Sequence, residues 1–508
     1  MRKLPAYLIL FLFISAGEAI GQEAFVLTLD QAINISLNKS YTVKAHQETK
    51  QAMQHYFKYW QAMFDPKLEF TVFTPSWNEN VSGIQRVDGL PVYNSTGMMQ
   101  YGSKLKFTYT LPSGGHMALG TEVYRENLKT VLALRDYEKL STNQARSSIS
   151  LSFDQPIFTK NKLKENLEEA RLQYEKVSSE FNRRQLDIIY QVTEGFYDVY
   201  RKTREMEIAG EKLKNSEETY RIAKLKGEAG RIPESDVLSA EVTVAQNRAD
   251  LSQAEGNLRQ TEDKFKQLIG LSLYDDIRIT TDLAYDSFNI NPEEAVSKAL
   301  VLRSEIAERE SDVELQDINL DRARRIREIS GTISAYYDLT GVSTIDHGSM
   351  GGLFRSSLNN FADRPSNRGI TLTFSYPVFD WGRGAQRVKQ ETANLREAQL
   401  TLDNTKTTIV REVRDIVRSV EEAKNRLEIH EKNEQLARKL YEISQMRFEH
   451  GGITSQELGM EQAKLTESQL GYLGAYITYQ LALADLKRKT LWDFKENQRY
   501  QQLSFSDK

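Results

Sequence analysis

Two similar decapeptides, 221 residues apart, most constrain the fold of this 508-residue chain. ISLSFDQPIF occupies residues 149–158 and ITLTFSYPVF occupies residues 370–379, with five of ten positions identical. The match continues at the same shift, without a gap, to Ile232 of the first copy. Self-similarity over this length predicts two copies of one structural unit.

A second match upstream shows where the copies differ. SLNKSYTVKA at 36–45 parallels KALVLRSEIAE at 298–308, which aligns Ser40 with Ser304 at a shift of 264. The difference between the two shifts places 43 extra residues in the first copy. Each copy is predicted to run short helix, helix, strand, strand, long helix, turn, helix.

The N-terminus has the pattern of a secretory signal peptide. Arg2 and Lys3 precede an apolar run at 4–16, and small residues lead up to Gly21. Cleavage is expected after Gly21, and because the chain has no cysteine, no lipidated N-terminus is expected. The predicted boundaries are a signal peptide at 1–21, a first repeat at 22–285, a second repeat at 286–495 and a C-terminal tail at 496–508.

Long amphipathic helices dominate both copies. Residues 160–225 and 382–447 contain no proline, and their apolar residues recur with heptad spacing, which indicates helices packed side by side in a coiled coil. At ~1.5 Å per residue, each would be roughly 100 Å long. Shorter helices are expected at 40–64 and 233–268 in the first copy, and at 304–328 and 454–489 in the second. The sequence also predicts helix starts at Thr28 with Gln31 and at Asn291 with Pro292, and left-handed C-caps at Gly230 and Gly451.

The decapeptides alternate apolar residues with serine or threonine, which indicates strands with one apolar and one polar face. The apolar positions are Ile149, Leu151 and Phe153 in the first copy and Ile370, Leu372 and Phe374 in the second. Strands of this kind are typical of outer-membrane barrels, and a water-soluble sandwich is the alternative. No later stretch has the ~18–20 apolar residues of a membrane helix.

Four strands per chain cannot close a barrel, and open sheet edges are not tolerated in lipid. The chain is therefore expected to share strands with copies of itself, and three copies would supply twelve. A possible hairpin at 104–123, turning at 112–115, lies in the extra segment of the first copy. The sequence leaves open whether this hairpin joins the barrel.

With an export signal, a tandem repeat and long paired helices, the chain resembles the TolC-type outer-membrane efflux family. The strand-to-helix boundaries at 149–158 and 370–384 carry the resemblance, as do the helix-turn-helix tips at 224–241 and 446–462. It implies a mainly α protein with membrane β-structure. Three chains would form a helical barrel continued by a shared twelve-stranded β-barrel in the outer membrane of a Gram-negative bacterium, with a large periplasmic part.

The resemblance also implies a function. The trimer would be the passive exit duct of a tripartite efflux or type I secretion system, with an inner-membrane transporter supplying energy and a periplasmic adaptor docking at the helical tips. The implied docking residues are those of the two tip turns: Gly230, Arg231, Ile232, Arg447, Gly451, Gly452 and Ile453.

The resemblance places a pore constriction at the same tips, lined by Asp236, Glu457, Met460 and Glu461. Asp236 and Glu457 each follow a tip glycine by six residues, and they would also suit the first turn of a helix. The family pattern is not complete. Ile453 stands where some members have an arginine that holds the tip shut, and Phe448 stands where others have a tyrosine. Arg231 and Arg447 are the candidates for a different lock.

Composition disfavours other classes of protein. A net charge of −4 argues against nucleic-acid binding, and six scattered histidines form no metal-binding or catalytic pattern. We therefore expect no enzyme activity, no cofactor and no metal. The remaining alternative is an elongated periplasmic coiled-coil adaptor or scaffold with no membrane part, which would be water-soluble.

Overall fold

The computed structural model of the protein describes residues 25–87, 89–280, 285, 289–343, 350–361 and 363–500. The predicted signal peptide lies outside these residues. The chain forms two compact units, and each contains segments of both sequence copies. The first unit comprises residues 1–47, 182–303 and 407–508, and the second comprises residues 48–181 and 304–406.

The helices repeat in pairs of equal length, which confirms the duplication. The pairs have 11, 22, 67 and 36 residues. The first copy has α1 (Leu29–Lys39), α2 (Tyr41–Ala62), α3 (Lys162–Glu228) and α4 (Glu234–Ile269). The second copy has α5 (Pro292–Leu302), α6 (Ser304–Arg325), α8 (Arg383–Glu449) and α9 (Ser455–Thr490).

Helix boundaries correct the upstream alignment by one residue. The two shorter pairs are related by a shift of 263, so Ser40 corresponds to Arg303 rather than to Ser304. Both residues are the C-caps of their first helices, and each backbone N–H donates to a carbonyl four residues earlier. The first copy therefore has 42 extra residues between its anchors, all of them between α2 and α3.

Capping residues fix where the first helix of each copy begins. Thr28 and Gln31 form a capping box, in which each side chain accepts from the backbone N–H of the other. In the second copy Asn291 is the N-cap and Pro292 is the first helical residue. These starts agree with those predicted from the sequence.

In the first unit the predicted heptad seam of the second copy is buried along its length. Its members, each no more than 8% exposed, are Ile409, Val413, Ile416, Val420, Ala423 and Leu427. A short parallel pair joins β1 (Phe25–Leu27) to β6 (Ile277–Ile279) in the same unit. Another short pair joins β9 (Trp492–Asp493) to β10 (Gln498–Arg499).

The second unit contains one antiparallel sheet of six strands, in the order β2-β3-β4-β5-β7-β8. The hairpin that the sequence left open is part of this sheet, so the chain contributes six strands where four were counted. The strands are β2 (Lys67–Ile84), β3 (Val92–Thr110), β4 (His116–Leu132), β5 (Glu138–Ile157), β7 (Ser330–Ser343) and β8 (Asn367–Ser375).

One face of the sheet is apolar, as the alternation predicted. Cross-strand pairing puts Leu151 beside Tyr337, and Ile370 beside Ala335, on that face. On the two outer strands these side chains are widely open, with Phe70 of β2 66% exposed and Leu372 of β8 53% exposed. Each outer strand pairs with a single neighbour among the described residues.

A short helix, α7 (Met350–Asn359), packs against the sheet beyond this apolar region. The Ser357 hydroxyl donates to the Gly341 carbonyl at 2.8 Å, and the Asn360 amide donates to the Val342 carbonyl at 2.8 Å. A Cβ on Gly341 would lie 1.8 Å from the Ser357 carbonyl oxygen. Glycine at position 341 is therefore what lets the helix approach the strand.

Gly195 and Gly210, both far from the ends of α3, allow a matched test of helix packing in the first unit. A Cβ at Gly195 would meet Phe265 at 3.0 Å, and Phe265 is 2% exposed with its ring held against Phe196. A Cβ at Gly210 meets nothing within 4 Å. We expect Gly210→Ala to stabilise the protein by about 0.5–1 kcal/mol through higher helix propensity.

Gly195→Ala should not gain this stability, because the buried ring of Phe265 cannot move away without disturbing the core. We expect its free energy of unfolding to be about 1 kcal/mol lower than that of Gly210→Ala. Thermal unfolding followed by circular dichroism measures the difference. Equal midpoints for the two variants would contradict the packing described here.

Candidate functional site at the helical tips

Both helical hairpins of the first unit turn through the same backbone motif. Gly230 has φ +66° and Gly451 has φ +82°, the left-handed conformation expected of a glycine that ends a helix. The Arg231 N–H donates to the Lys226 carbonyl at 2.8 Å, and the Gly452 N–H donates to the Arg447 carbonyl at 2.7 Å. These six-residue closures are Schellman motifs, and they confirm the C-caps predicted for both tips.

The helices that leave the two tips begin differently. Thr454 caps α9 through a capping box with Glu457: the Glu457 N–H donates to the Thr454 hydroxyl at 3.2 Å, and the Thr454 N–H donates to the Glu457 carboxylate at 2.8 Å. Pro233 precedes α4 and has no side chain that could cap it. Its first turn carries Glu234 and Asp236, whose charges favour the positive end of a helix dipole.

The acidic residues predicted to line a constriction have distinct local partners. Glu457 is exposed, and one of its oxygens, Oε2, makes the contacts of the capping box. Glu461 forms an ion pair with Lys464 at 2.8 Å. Asp236 is half-buried, while Met460 is 53% exposed. Within one chain these side chains lie on the first two turns of α4 and α9.

An apolar cluster holds the second tip together. Phe448, Leu458, Tyr441 and Leu465 are buried in it, and Ile453 packs against it. Burial raises the pKa of the Tyr441 hydroxyl, so it stays neutral. Ile453, which stands where a locking arginine was considered, therefore contributes apolar contact rather than charge.

Lys226 joins the first tip to the second. Its ammonium donates to the Phe448 carbonyl at 2.6 Å and lies 4.5 Å from the centre of the Phe448 ring. Carbonyls in the last turn of a helix carry partial negative charge, and a lysine is a suitable partner for them. The only sequence signal is a basic residue in the last turn of α3, which many helices share.

Arg231 and Arg447, the two candidates for a lock, are both exposed. Their backbones take part in the Schellman motifs described above. Within one chain, Lys226 donates a hydrogen bond between the two hairpins and Ile222 packs against the apolar cluster of the second tip.

Close to the tips, a cavity of about 320 Å³ lies among α3, α4 and α9. Its wall consists mainly of small or uncharged polar side chains, including Thr219, Ser239, Thr243, Gly459 and Gln462. A hydrogen bond of 3.0 Å from Asn215 to Gln462 crosses between the first and second copies beside it. Small residues of this kind let helices approach one another closely.

Across the described ranges, no group of histidine, aspartate and glutamate side chains has the arrangement of a metal site. A search of the helices in the same residues finds none that is long and apolar enough to cross a membrane.

Comparison with known proteins identifies the family. The model of the outer membrane efflux protein family matches residues 32–271 and 295–490, which covers both sequence copies. A search of curated protein sequences gives no match.

Solved structures share the fold at low sequence identity. The CmeC outer membrane channel of Campylobacter jejuni is 15% identical with a TM-score of 0.66, and the alignment covers 91% of this chain and 85% of that one. The open state of the Neisseria gonorrhoeae MtrE outer membrane channel is 14% identical with a TM-score of 0.64, covering 91% and 88%. The VceC outer membrane protein of Vibrio cholerae is 14% identical with a TM-score of 0.62, covering 90% and 95%.

The structural matches agree with the family model over most of the chain, in both copies of the repeat. The chain therefore belongs to the outer membrane efflux protein family, whose members are non-enzymatic transport conduits.

Proposed function

We propose that this protein is the exit duct of a tripartite efflux or type I secretion system. Three copies would form a passive conduit through the outer membrane and across the periplasm, while an inner-membrane transporter supplies the energy. A periplasmic adaptor would dock at the helical tips and open them. The proposal rests on two features that occur in one chain. One is a sheet with an apolar face and two open edges, and the other is a pair of helical tips that turn in the same way.

The open edges argue for assembly. Strands β2 and β8 each have one hydrogen-bonded neighbour among the described residues, so each presents a row of backbone groups on its other side. In lipid such groups must be paired, because no water is present to satisfy them. Pairing β2 of one copy with β8 of the next would close the wall in a cyclic oligomer.

The apolar face would then contact the membrane. Ile149, Leu151 and Phe153 of β5 would lie in one lipid-facing band with Ile370, Leu372 and Phe374 of β8, with β7 between the two strands. The serines and threonines that alternate with them would face the lumen. The signal peptide at 1–21 would direct export, and without a cysteine the mature chain would not be lipidated.

The tip turns form the proposed adaptor surface. Gly230, Arg231 and Ile232 make up the first turn, and Arg447 with Gly451, Gly452 and Ile453 makes up the second. Their Schellman motifs give both turns one rigid shape, and the nearby cavity of small side chains is a groove that a partner helix could enter. A contact there would compete with the packing that joins the two hairpins.

The constriction would be formed at the same end by three copies of Glu457, supported by Asp236, Met460 and Glu461. Symmetry-related carboxylates around a narrow opening attract cations. The capping box is compatible with this role, because the Glu457 side chain is exposed and only its Oε2 atom accepts the hydrogen bonds of the box.

Membrane extraction and mass measurement test the assembly. We expect the protein to stay in the membrane pellet after carbonate treatment and to purify in mild detergent with the mass of three chains, because the sheet edges require partners. A periplasmic adaptor or scaffold would be released by carbonate. Release, or a monomeric mass, would contradict the proposed duct.

Replacing the constriction charge tests the pore. Glu457→Gln keeps an oxygen for the Thr454 N–H and removes the negative charge, so we expect weaker cation preference with little change in stability. Reversal potentials in planar bilayers under a salt gradient measure this. Glu461→Gln is the comparison, since Lys464 already neutralises Glu461 locally, and its effect should be smaller. No change with Glu457→Gln would exclude the ring.

Removing the Lys226 contact tests how the tip stays closed. Lys226→Met keeps the alkyl chain and deletes the donor to the Phe448 carbonyl, at a cost of about 1–2 kcal/mol. We expect the two hairpins to separate more often. Spin labels on Glu228→Cys and His450→Cys, in trimers diluted with unlabelled chains, would report a longer and broader distance distribution.

Lys224→Met is the matched control, because Lys224 is exposed and lies two residues earlier on the same helix. It should leave the label distances unchanged. If Lys226→Met gave the same distribution as Lys224→Met, the lysine contact would not be the tie.

A further inference from the structure

The extra hairpin of the first copy, β3 and β4, lies between the other two sheet strands of that copy. It separates β2 from β5, the two strands that would otherwise pair as a simple hairpin like β7 and β8 of the second copy. An added hairpin could instead project beyond a membrane wall or fold across its lumen. Its register with its neighbours and the pattern of its side chains distinguish these possibilities.

The ladder through the hairpin is continuous. Strand β3 pairs with β4 without a register shift from Ser95–Val131 to Thr110–His116, and β4 pairs with β5 without a shift from His116–Asp154 to Leu132–Glu138. Between β2 and β3 there is one irregularity, near Phe73. The hairpin is therefore integral to the sheet over the full length of its strands.

The apolar face also continues across the hairpin. Register places its apolar side chains on the same face as those of β2, β5, β7 and β8: Leu105, Phe107 and Tyr109 on β3, and Met117 and Leu119 on β4. Leu105 is 38% exposed and Leu119 is 46% exposed, as open as Leu151 of β5 at 42%. Within this single chain, the apolar face of the hairpin is therefore as exposed as that of the neighbouring strand β5.

The opposite face of the hairpin is polar. Lys104 and Lys106 of β3 lie on it beside Glu122 and Gly120 of β4. In the next strand the residues paired with those of β4 on this face are serines, such as Ser150. The hairpin thus has the apolar-out, polar-in alternation of a channel wall.

The slope of the apolar band gives an independent check. The cross-strand row through Phe70, the middle apolar residue of β2, meets β7 at Leu339. The middle apolar residue of β8, Leu372, pairs instead with Ile333, which lies six residues before Leu339 in β7. From β2 to β8 the band of apolar residues therefore crosses five strand spacings of ~4.8 Å each while it shifts by six residues of ~3.3 Å each along the strands. This shift means that the strands are tilted about 40° from the direction perpendicular to the band.

Membrane barrels have strand tilts of about 35–45°. The calculated tilt uses five strand spacings, which include the two that β3 and β4 add. The position of the apolar band and the hydrogen-bond register are therefore consistent with β3 and β4 being strands of the wall. The β3–β4 turn supports the same orientation: it lies next to the start of α3, where the Asn161 amide donates to the Pro112 carbonyl at 3.0 Å. A short turn on the helix side is typical of these barrels.

We infer that β3 and β4 are lipid-facing wall strands, so that each chain contributes six strands and the trimer of the proposed function encloses an eighteen-stranded barrel rather than a twelve-stranded one. Barrel diameter grows roughly linearly with strand number, so the membrane part would be about 1.5 times as wide. At eighteen strands a barrel leaves an aqueous channel of porin width.

Single cysteines introduced into this cysteine-free chain test the inference. The variants are Leu105→Cys and Leu119→Cys on the hairpin, Leu151→Cys and Leu372→Cys as lipid-facing references, and Lys106→Cys on the opposite face. Each is labelled with bimane in trimers reconstituted into vesicles that contain brominated phosphatidylcholine. We expect positions 105 and 119 to be quenched as strongly as 151 and 372, and position 106 several-fold less.

The inference rests on the proposed duct, and the two fail differently. A monomeric mass, or a lack of quenching at 151 and 372, would overturn the duct itself. A trimer with strong quenching at 151 and 372 but weak quenching at 105 and 119 would leave the duct in place and overturn the eighteen-stranded wall. Counting strands in an electron cryomicroscopy map of the trimer gives a second reading, with twelve strands contradicting the inference.

Discussion

A β-strand at the edge of a sheet exposes backbone N–H and C=O groups that need partners, and this requirement governs the six-stranded sheet of the second unit. Strands β2 and β8 present such edges at either side of a sheet whose apolar face is open. Water would satisfy the edges but not the apolar face, while lipid would satisfy the face but not the edges. Strand pairing between identical chains within a membrane meets both needs.

At the two helical tips of the first unit, backbone carbonyl groups also need hydrogen-bond partners. Four long helices end at the two tips, and the last carbonyls of α3 and α8 lack partners within their own helices. The Schellman motifs satisfy some of them, and the Lys226 ammonium satisfies another by donating across to Phe448. The same contact that completes one helix end therefore also joins the two hairpins.

Much of the fold could be predicted because local signals and long-range packing agree. The duplication, the caps at Thr28 and Asn291 and the tip glycines all depend on short stretches of sequence, and each was found where it was expected. The hairpin was harder. Glycines such as Gly97 and Gly102 weaken the alternation of β3, so its length was clear only from its pairing with β4. Lys226 could not be predicted, because its partner is a backbone carbonyl 222 residues away.

Every helix of the first copy has a counterpart of the same length in the second, and all the additional residues lie between α2 and α3. An extra residue in a 67-residue helix would rotate everything beyond it by about 100°, so the buried seam strongly disfavours length changes there. The number of strands can vary more freely, provided that it stays even. The chain enters the sheet from α2 and must leave from the same end to begin α3, so added strands are accommodated only two at a time. Sheet width in such a scaffold would change by whole hairpins, while the lengths of the paired helices stay fixed.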